Sequence, residues 1–198
     1  MRKIFLILLL SISVTKMYSQ EIDCVVSKLP QNINTLEELT KNDSLTKVYI
    51  VDVNQIGELI QKSKKKFKIV FFFSPTCHSS IEMFPKFIEF INKNSTEFEL
   101  FPVSGLRYNK VNSVHDYLKL INYYNPILIL DTEKHGNKAE PFTRLDQLSS
   151  AFCPSCTVKK MGFSNFFVID SNNVEVFNTN YEINLSDIEI FERLTNLH

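Results

Sequence analysis

Lys68-Ile69-Val70-Phe71-Phe72-Phe73-Ser74-Pro75-Thr76-Cys77-His78-Ser79-Ser80 carries the chain from an apolar run, through a proline turn, to a cysteine. Ile69 to Phe73 show no polar alternation, the pattern of a strand covered on both faces in a parallel or mixed sheet. Pro75 ends that strand. Beyond Ser80, Ile81, Phe84, Ile88 and Ile91 recur at helical spacing, which places Cys77 at or just before a helix N-terminus. Unpaired N–H groups and the positive end of the helix dipole favour a thiolate there.

Around this stretch the elements alternate. Strands are predicted at 47–53, 68–73, 98–103 and 127–130, and helices at 54–65, with Ile56, Leu59 and Ile60 inward, and at 80–94. Val114, Tyr117, Leu118 and Ile121 mark a further helix face. A loop is expected from His135 to Thr143, then one or two helical turns bearing Leu145, Leu148 and Phe152 and closed by Pro154. Asn165 to Ile169 and Val174 to Asn178 read as a hairpin around asparagines that tolerate positive φ. Ser186 and Glu189 form a capping box for a last helix that docks Ile188, Phe191 and Leu194. The pattern predicts an α/β fold, a three-layer α/β/α sandwich with a mixed central sheet.

The motif resembles the thioredoxin-like superfamily, in particular its exported thiol-disulfide oxidoreductase and redoxin branch. That family follows an apolar strand with a short loop, Cys-x-x-Cys, and a helix carrying a proline five residues after the second cysteine. Cys77-His78-Ser79-Ser80 stands at the motif, Pro85 stands at that proline, and Gly162 to Val176 is similar to the family's Gly-x-Pro-strand-turn-strand segment. The resemblance spans about Val48 to the C-terminus and implies thiol-disulfide exchange with Cys77 as the attacking group, His78 and Ser80 beside it, and Phe163 and Ser164 as the substrate-docking loop. Two positions depart from it. Ser80 replaces the resolving cysteine, so a mixed disulfide at Cys77 has no local thiol to release it. Ser164 replaces a cis-proline, and because a cis bond before a non-proline residue costs about 2.5–4 kcal/mol, a trans or rebuilt loop is expected.

Each site residue also has a plainer role. Free cysteine is commonly a small buried residue. Ser80 reads first as a helix cap and second as a hydrogen-bond partner of the sulfur. Cys153-Pro154-Ser155-Cys156 is the one complete Cys-x-x-Cys. It lacks a preceding buried strand, so a structural or semi-labile disulfide is favoured over an independent redox centre. Cys156 precedes Ser164 by eight residues, at most roughly 26–29 Å of chain, and either cysteine is a candidate auxiliary dithiol for Cys77. Zinc or copper(I) binding by Cys77, His78, Cys153 and Cys156 is a minority alternative, and no metal or other cofactor is assigned. The other competing reading is a non-catalytic module that binds an exported protein.

With 198 residues, 44% of them apolar, the chain fills one ordinary core. Its 22 basic and 22 acidic residues give no net field to recruit nucleic acid. Arg2-Lys3 followed by an apolar run to Val14 has the form of a secretory signal, assigned to residues 1–19. An N-terminal extension is expected at 20–46, the main domain at 47–198, no stable membrane span after signal removal, and a periplasmic or secreted location where disulfides persist. The expected partners are the thiols or disulfides of other exported proteins.

Overall fold

The computed structural model describes residues 25–39, 47–107, 110–136, 141–154, 162–183 and 185–197. Its strands are β1 (Val25–Lys28), β2 (Lys47–Val51), β3 (Phe67–Phe72), β4 (Phe98–Ser104), β5 (Ile127–Leu130), β6 (Phe166–Ile169) and β7 (Glu175–Asn178). The helices are α1 (Leu36–Leu39), α2 (Val53–Lys62), α3 (His78–Lys93), α4 (Val111–Leu120), α5 (Thr132–His135), α6 (Pro141–Phe152) and α7 (Asp187–Thr195). One sheet runs in the order β1-β2-β5-β4-β3-β6-β7. From β1 to β3 the neighbours are parallel, while β6 and β7 close the far side antiparallel.

Strand periodicity divides the core in two. Ile69, Phe71 and Phe73 face one cluster with Phe84 and Phe87 of α3, Val114 and Leu118 of α4, and Ile190 and Leu194 of α7. Val70 and Phe72 face the other, with Ile56 and Leu59 of α2 and Leu145 and Leu148 of α6. Helices therefore cover both faces, giving the expected three layers around a mixed sheet. All six residues of β3 are buried, and each buried aromatic or aliphatic side chain there stabilises the fold by about 1.5–3 kcal/mol. Phe71 stacks on Phe84 at 5.6 Å and tilts against Phe87 at 5.0 Å, joining the central strand to the helix that follows the cysteine.

Several expectations shift in detail. The buried stripe of α3 is Met83, Phe84, Phe87 and Phe90, with Ile81, Ile88 and Ile91 on its flanks, because the rings reach deepest into the layer. In α7 Ile190 and Leu194 are the buried pair and Ile188 is 72% exposed. The Ser186–Glu189 capping box forms as expected but leaves the first turn facing water. α6 runs for twelve residues rather than one or two turns, since Pro141 presets φ at the first helical position. Val25 to Lys28, within the expected extension, form an edge strand in register with Lys47 to Ile50, and Leu29, Leu36 and Leu39 enter the core behind it.

Pro85 leaves a vacancy in α3 that the fold fills from elsewhere. A proline has no N–H to donate to the carbonyl four residues back, here that of Ile81. The Tyr117 hydroxyl of α4 donates to that oxygen at 2.9 Å instead. Tyr117 is 8% exposed, and burial pushes its phenol up to about 12.

Candidate functional site

Ser74 organises the turn between β3 and α3. Its N–H donates to Ser80 Oγ at 2.9 Å, its hydroxyl lies 3.0 Å from Thr76 Oγ1, and its carbonyl accepts from Cys77 N–H at 3.3 Å. Pro75 occupies the second position of the resulting four-residue turn, where its fixed φ fits. Cys77 is then the N-cap residue of α3, with extended backbone and a carbonyl that accepts from Ile81 N–H at 3.0 Å. Its side chain makes no capping bond. The thiol is free and half-buried, at the positive end of a sixteen-residue helix.

Ser80 does not cap the helix. It is the third helical residue, fully buried, and its hydroxyl is the acceptor for Ser74 N–H. The capping expectation fails because the turn bends back over the first helical turn and presents a backbone donor that water cannot reach. His78 faces outward, its ring nitrogen 3.2 Å from Glu82 one turn on and its side chain 86% exposed.

The facing loop is hung from the same strand. Ser164 N–H donates to Phe72 O at 2.8 Å, and Phe72 N–H donates to Asn165 O at 2.9 Å. Two residues thus oppose one, which makes a β-bulge. Ser164 adopts φ 78°, and no peptide bond among the described residues is cis, so the loop is trans and rebuilt as expected. Phe163, half-buried, packs on Phe142 of α6 with ring centres 5.3 Å apart.

A third segment reaches the site that the sequence did not announce. Asn180 folds its carboxamide over its own turn, with Oδ1 accepting from Glu182 N–H at 2.8 Å and Ile183 N–H at 3.2 Å. This holds Tyr181 across to Gly162, where an added Cβ would collide with the Tyr181 hydroxyl and lie 2.5 Å from Cζ. Burial above all pushes the Tyr181 phenol above its ordinary value. Tyr181 therefore ties the turn past β7 to the 162–165 loop.

The site joins a cysteine at the helix start after a central parallel strand to a bulged loop that enters an antiparallel hairpin on that strand's other side, between two helical layers. The fold is thioredoxin-like. No family model matches the sequence, and no curated protein matches it. Among solved structures, the thioredoxin domain of a thiol-disulfide oxidoreductase from Bacteroides vulgatus is 16% identical, with a TM-score of 0.47 over 67% of this chain and 79% of that one. A thiol:disulfide interchange protein of the thioredoxin family from Chlorobium tepidum is 18% identical, with a TM-score of 0.44 over 66% of this chain and 79% of that one. These likenesses concern the fold.

Cys153 is fully buried, is disulfide-bonded, and belongs to the cluster shared with α2, whereas α3 covers the opposite face. Cys156 and Cys24 lie outside the described residues, as does the expected signal segment. Among the described residues no group of three or more His, Cys, Asp or Glu side chains is placed to hold a metal ion. None of their helices is long and apolar enough to cross a membrane. Three surface grooves, of about 680 Å³ between α3 and α7, about 680 Å³ beside Thr35, Lys64 and Glu99, and about 400 Å³ beside Phe98 and Tyr123, are lined by neither Cys77 nor its turn.

Proposed function

We propose that the chain is an exported thiol-disulfide exchange protein whose Cys77 forms mixed disulfides with cysteines of other exported proteins. One observation carries the reading: the free Cys77 thiol occupies the N-cap of α3 at the end of a fully buried strand, with no side-chain bond to the cap. The thiolate attacks one sulfur of a partner disulfide, a Cys77–partner bond forms as the old S–S bond breaks, and the electron pair leaves on the second partner sulfur. The bulged loop at Phe163 and Ser164 supplies the face against which the partner segment lies.

Release is the slow half of this cycle. Ser80 is buried and committed to Ser74 N–H, so the second thiol must come from solution or from the Cys153 and Cys156 pair acting as an auxiliary dithiol. The latter route requires the end of α6 to open, because Cys153 is fully buried. The periplasmic or secreted location rests on the Arg2-Lys3 and Ile4 to Val14 pattern.

The test is trapping in the exporting organism. Protein recovered there should lack about 19 N-terminal residues and carry disulfide-linked partners that disappear in Cys77→Ser. Adducts should increase in the Cys153→Ser, Cys156→Ser double variant when that pair resolves them, and stay level when external thiols do. An inert Cys77, with no adducts in any background, would refute the exchange reading.

A further inference from the structure

We infer that the face formed by α3 and α7 is a self-association surface, which seats a second copy of this chain about a two-fold axis running along the groove between the two helices. The groove, of about 680 Å³, is lined by Phe90, Phe191 and Ile188 between walls of charged side chains. The Phe90 and Phe191 rings tilt together at 5.4 Å and make an apolar floor. Ile188 stands above that floor 72% exposed, a large aliphatic side chain left in water at the groove's edge. Lys86 bonds Asp187 across one end of the groove, and the same sequence offset joins Phe90 to Phe191. The two helices therefore run side by side in the same direction and at matched heights.

Charge says what covers this face, because it is segregated between the two walls. α7 contributes Asp187 and Glu192, while α3 contributes Lys86 and Lys93, with Glu89 bonded to Lys93 on its own helix. Glu192 forms no ion pair among the described residues. Rotation about an axis along the groove exchanges the walls and keeps the heights. It lays Asp187 of the second copy over Lys86, and brings Glu192 of the second copy to within about 3 Å, measured along the helix, of the level of Lys93. Each anionic wall thus meets a cationic one, and the two Ile188 side chains meet at the axis above the phenylalanine floor. A contact confined to two helices covers less than the roughly 800 Å² per partner of a standard interface, so the association is weak and reversible. Cys77 lies about 13 Å along α3 from Lys86, so the pairing lies off the thiol and does not depend on its chemistry.

The experiment is sedimentation velocity of the full-length folded protein from about 5 μM to about 500 μM, with covalent dimers excluded on non-reducing gels. The protein should pass from monomer to dimer across this range. Ile188→Glu, at a position open to water, should weaken the dimer roughly ten-fold or more. Lys93→Glu and Glu192→Lys should each weaken it roughly three-fold, because each homodimer then opposes like charges at both symmetry-related contacts. An equimolar mixture of those two variants should dimerise as well as the parent, since both contacts of the mixed dimer again pair opposite charges. A protein that stays monomeric at about 500 μM overturns the pairing and leaves the groove to a different occupant. An Ile188→Glu variant that dimerises as the parent does overturns it too, as does a mixture that associates no more tightly than either variant alone.

Discussion

Replacing Tyr117 by phenylalanine removes one oxygen atom and, in this fold, the donor that serves the Ile81 carbonyl in place of Pro85. The ring stays packed against Phe73, 5.4 Å away, and Phe84, 6.4 Å away, so the change is close to a pure hydrogen-bond deletion. A neutral bond of 2.9 Å in partly buried surroundings contributes about 0.5–1.5 kcal/mol net, and leaving the carbonyl without a partner raises the cost toward about 1–3 kcal/mol. We expect Tyr117→Phe to lose about 1–2 kcal/mol in urea unfolding with an unchanged m-value. A second background sharpens the test. Pro85→Ala restores an N–H to that position, so Ile81 gains its helical partner and the tyrosine hydroxyl becomes redundant. The cost of Tyr117→Phe in Pro85→Ala should then shrink by about 1 kcal/mol, measured as a double-mutant coupling. Equal costs in the two backgrounds would refute the compensation, whatever their size.

Two further outcomes follow from buried polar groups. Ser80→Ala leaves the Ser74 N–H without its acceptor and should cost about 1–3 kcal/mol in urea melts, with Ser80→Cys, a weaker acceptor, falling between it and the parent. Burial holds the Glu99 carboxyl above its ordinary value, opposed by the Ser63 hydroxyl that donates to it. A raised folded pKa means that this group's contribution is complete below its unfolded value and is lost as pH rises through the folded one. Glu99→Gln should therefore flatten the fall in stability that the parent shows on going from mildly acidic to neutral pH, read from urea midpoints across that range.

The layers and the helix-start cysteine were legible because they rest on local pattern. Ile69 to Phe73 allow one environment only, and Pro75 with the helical stripe behind it fixes where the strand must turn. Lys68 was legible as a strand residue but not as a buried one. Burial desolvates its ammonium and pushes its pKa down, and the amine is tied by donating to Asp170 O at 2.5 Å, a partner supplied by the distant hairpin. Ser80 was misassigned for a similar reason, since its role depends on a backbone donor six residues earlier that only the folded turn brings round. Tyr181 was missed altogether. Its seat against Gly162 joins the end of the sheet to the loop beside β3, and no periodicity records it, although Asn180 ahead of it signalled a turn. Pro85 carried an unused clue, because a proline inside a helix calls for a foreign donor to the carbonyl four residues back.

β3 is hydrogen-bonded along both edges and buried on both faces, whereas Tyr181 stands on a turn just past β7, the outermost strand of the sheet. Free energies of local opening range from near zero at frayed margins up to the global value in central strands. The Cys77 sulfur thus stands at the end of the last part of the molecule to come apart, and the Tyr181 turn belongs to one of the first. Thermal motion can lift the rim many times over within the lifetime of a folded molecule while the sulfur keeps its place at the head of the helix.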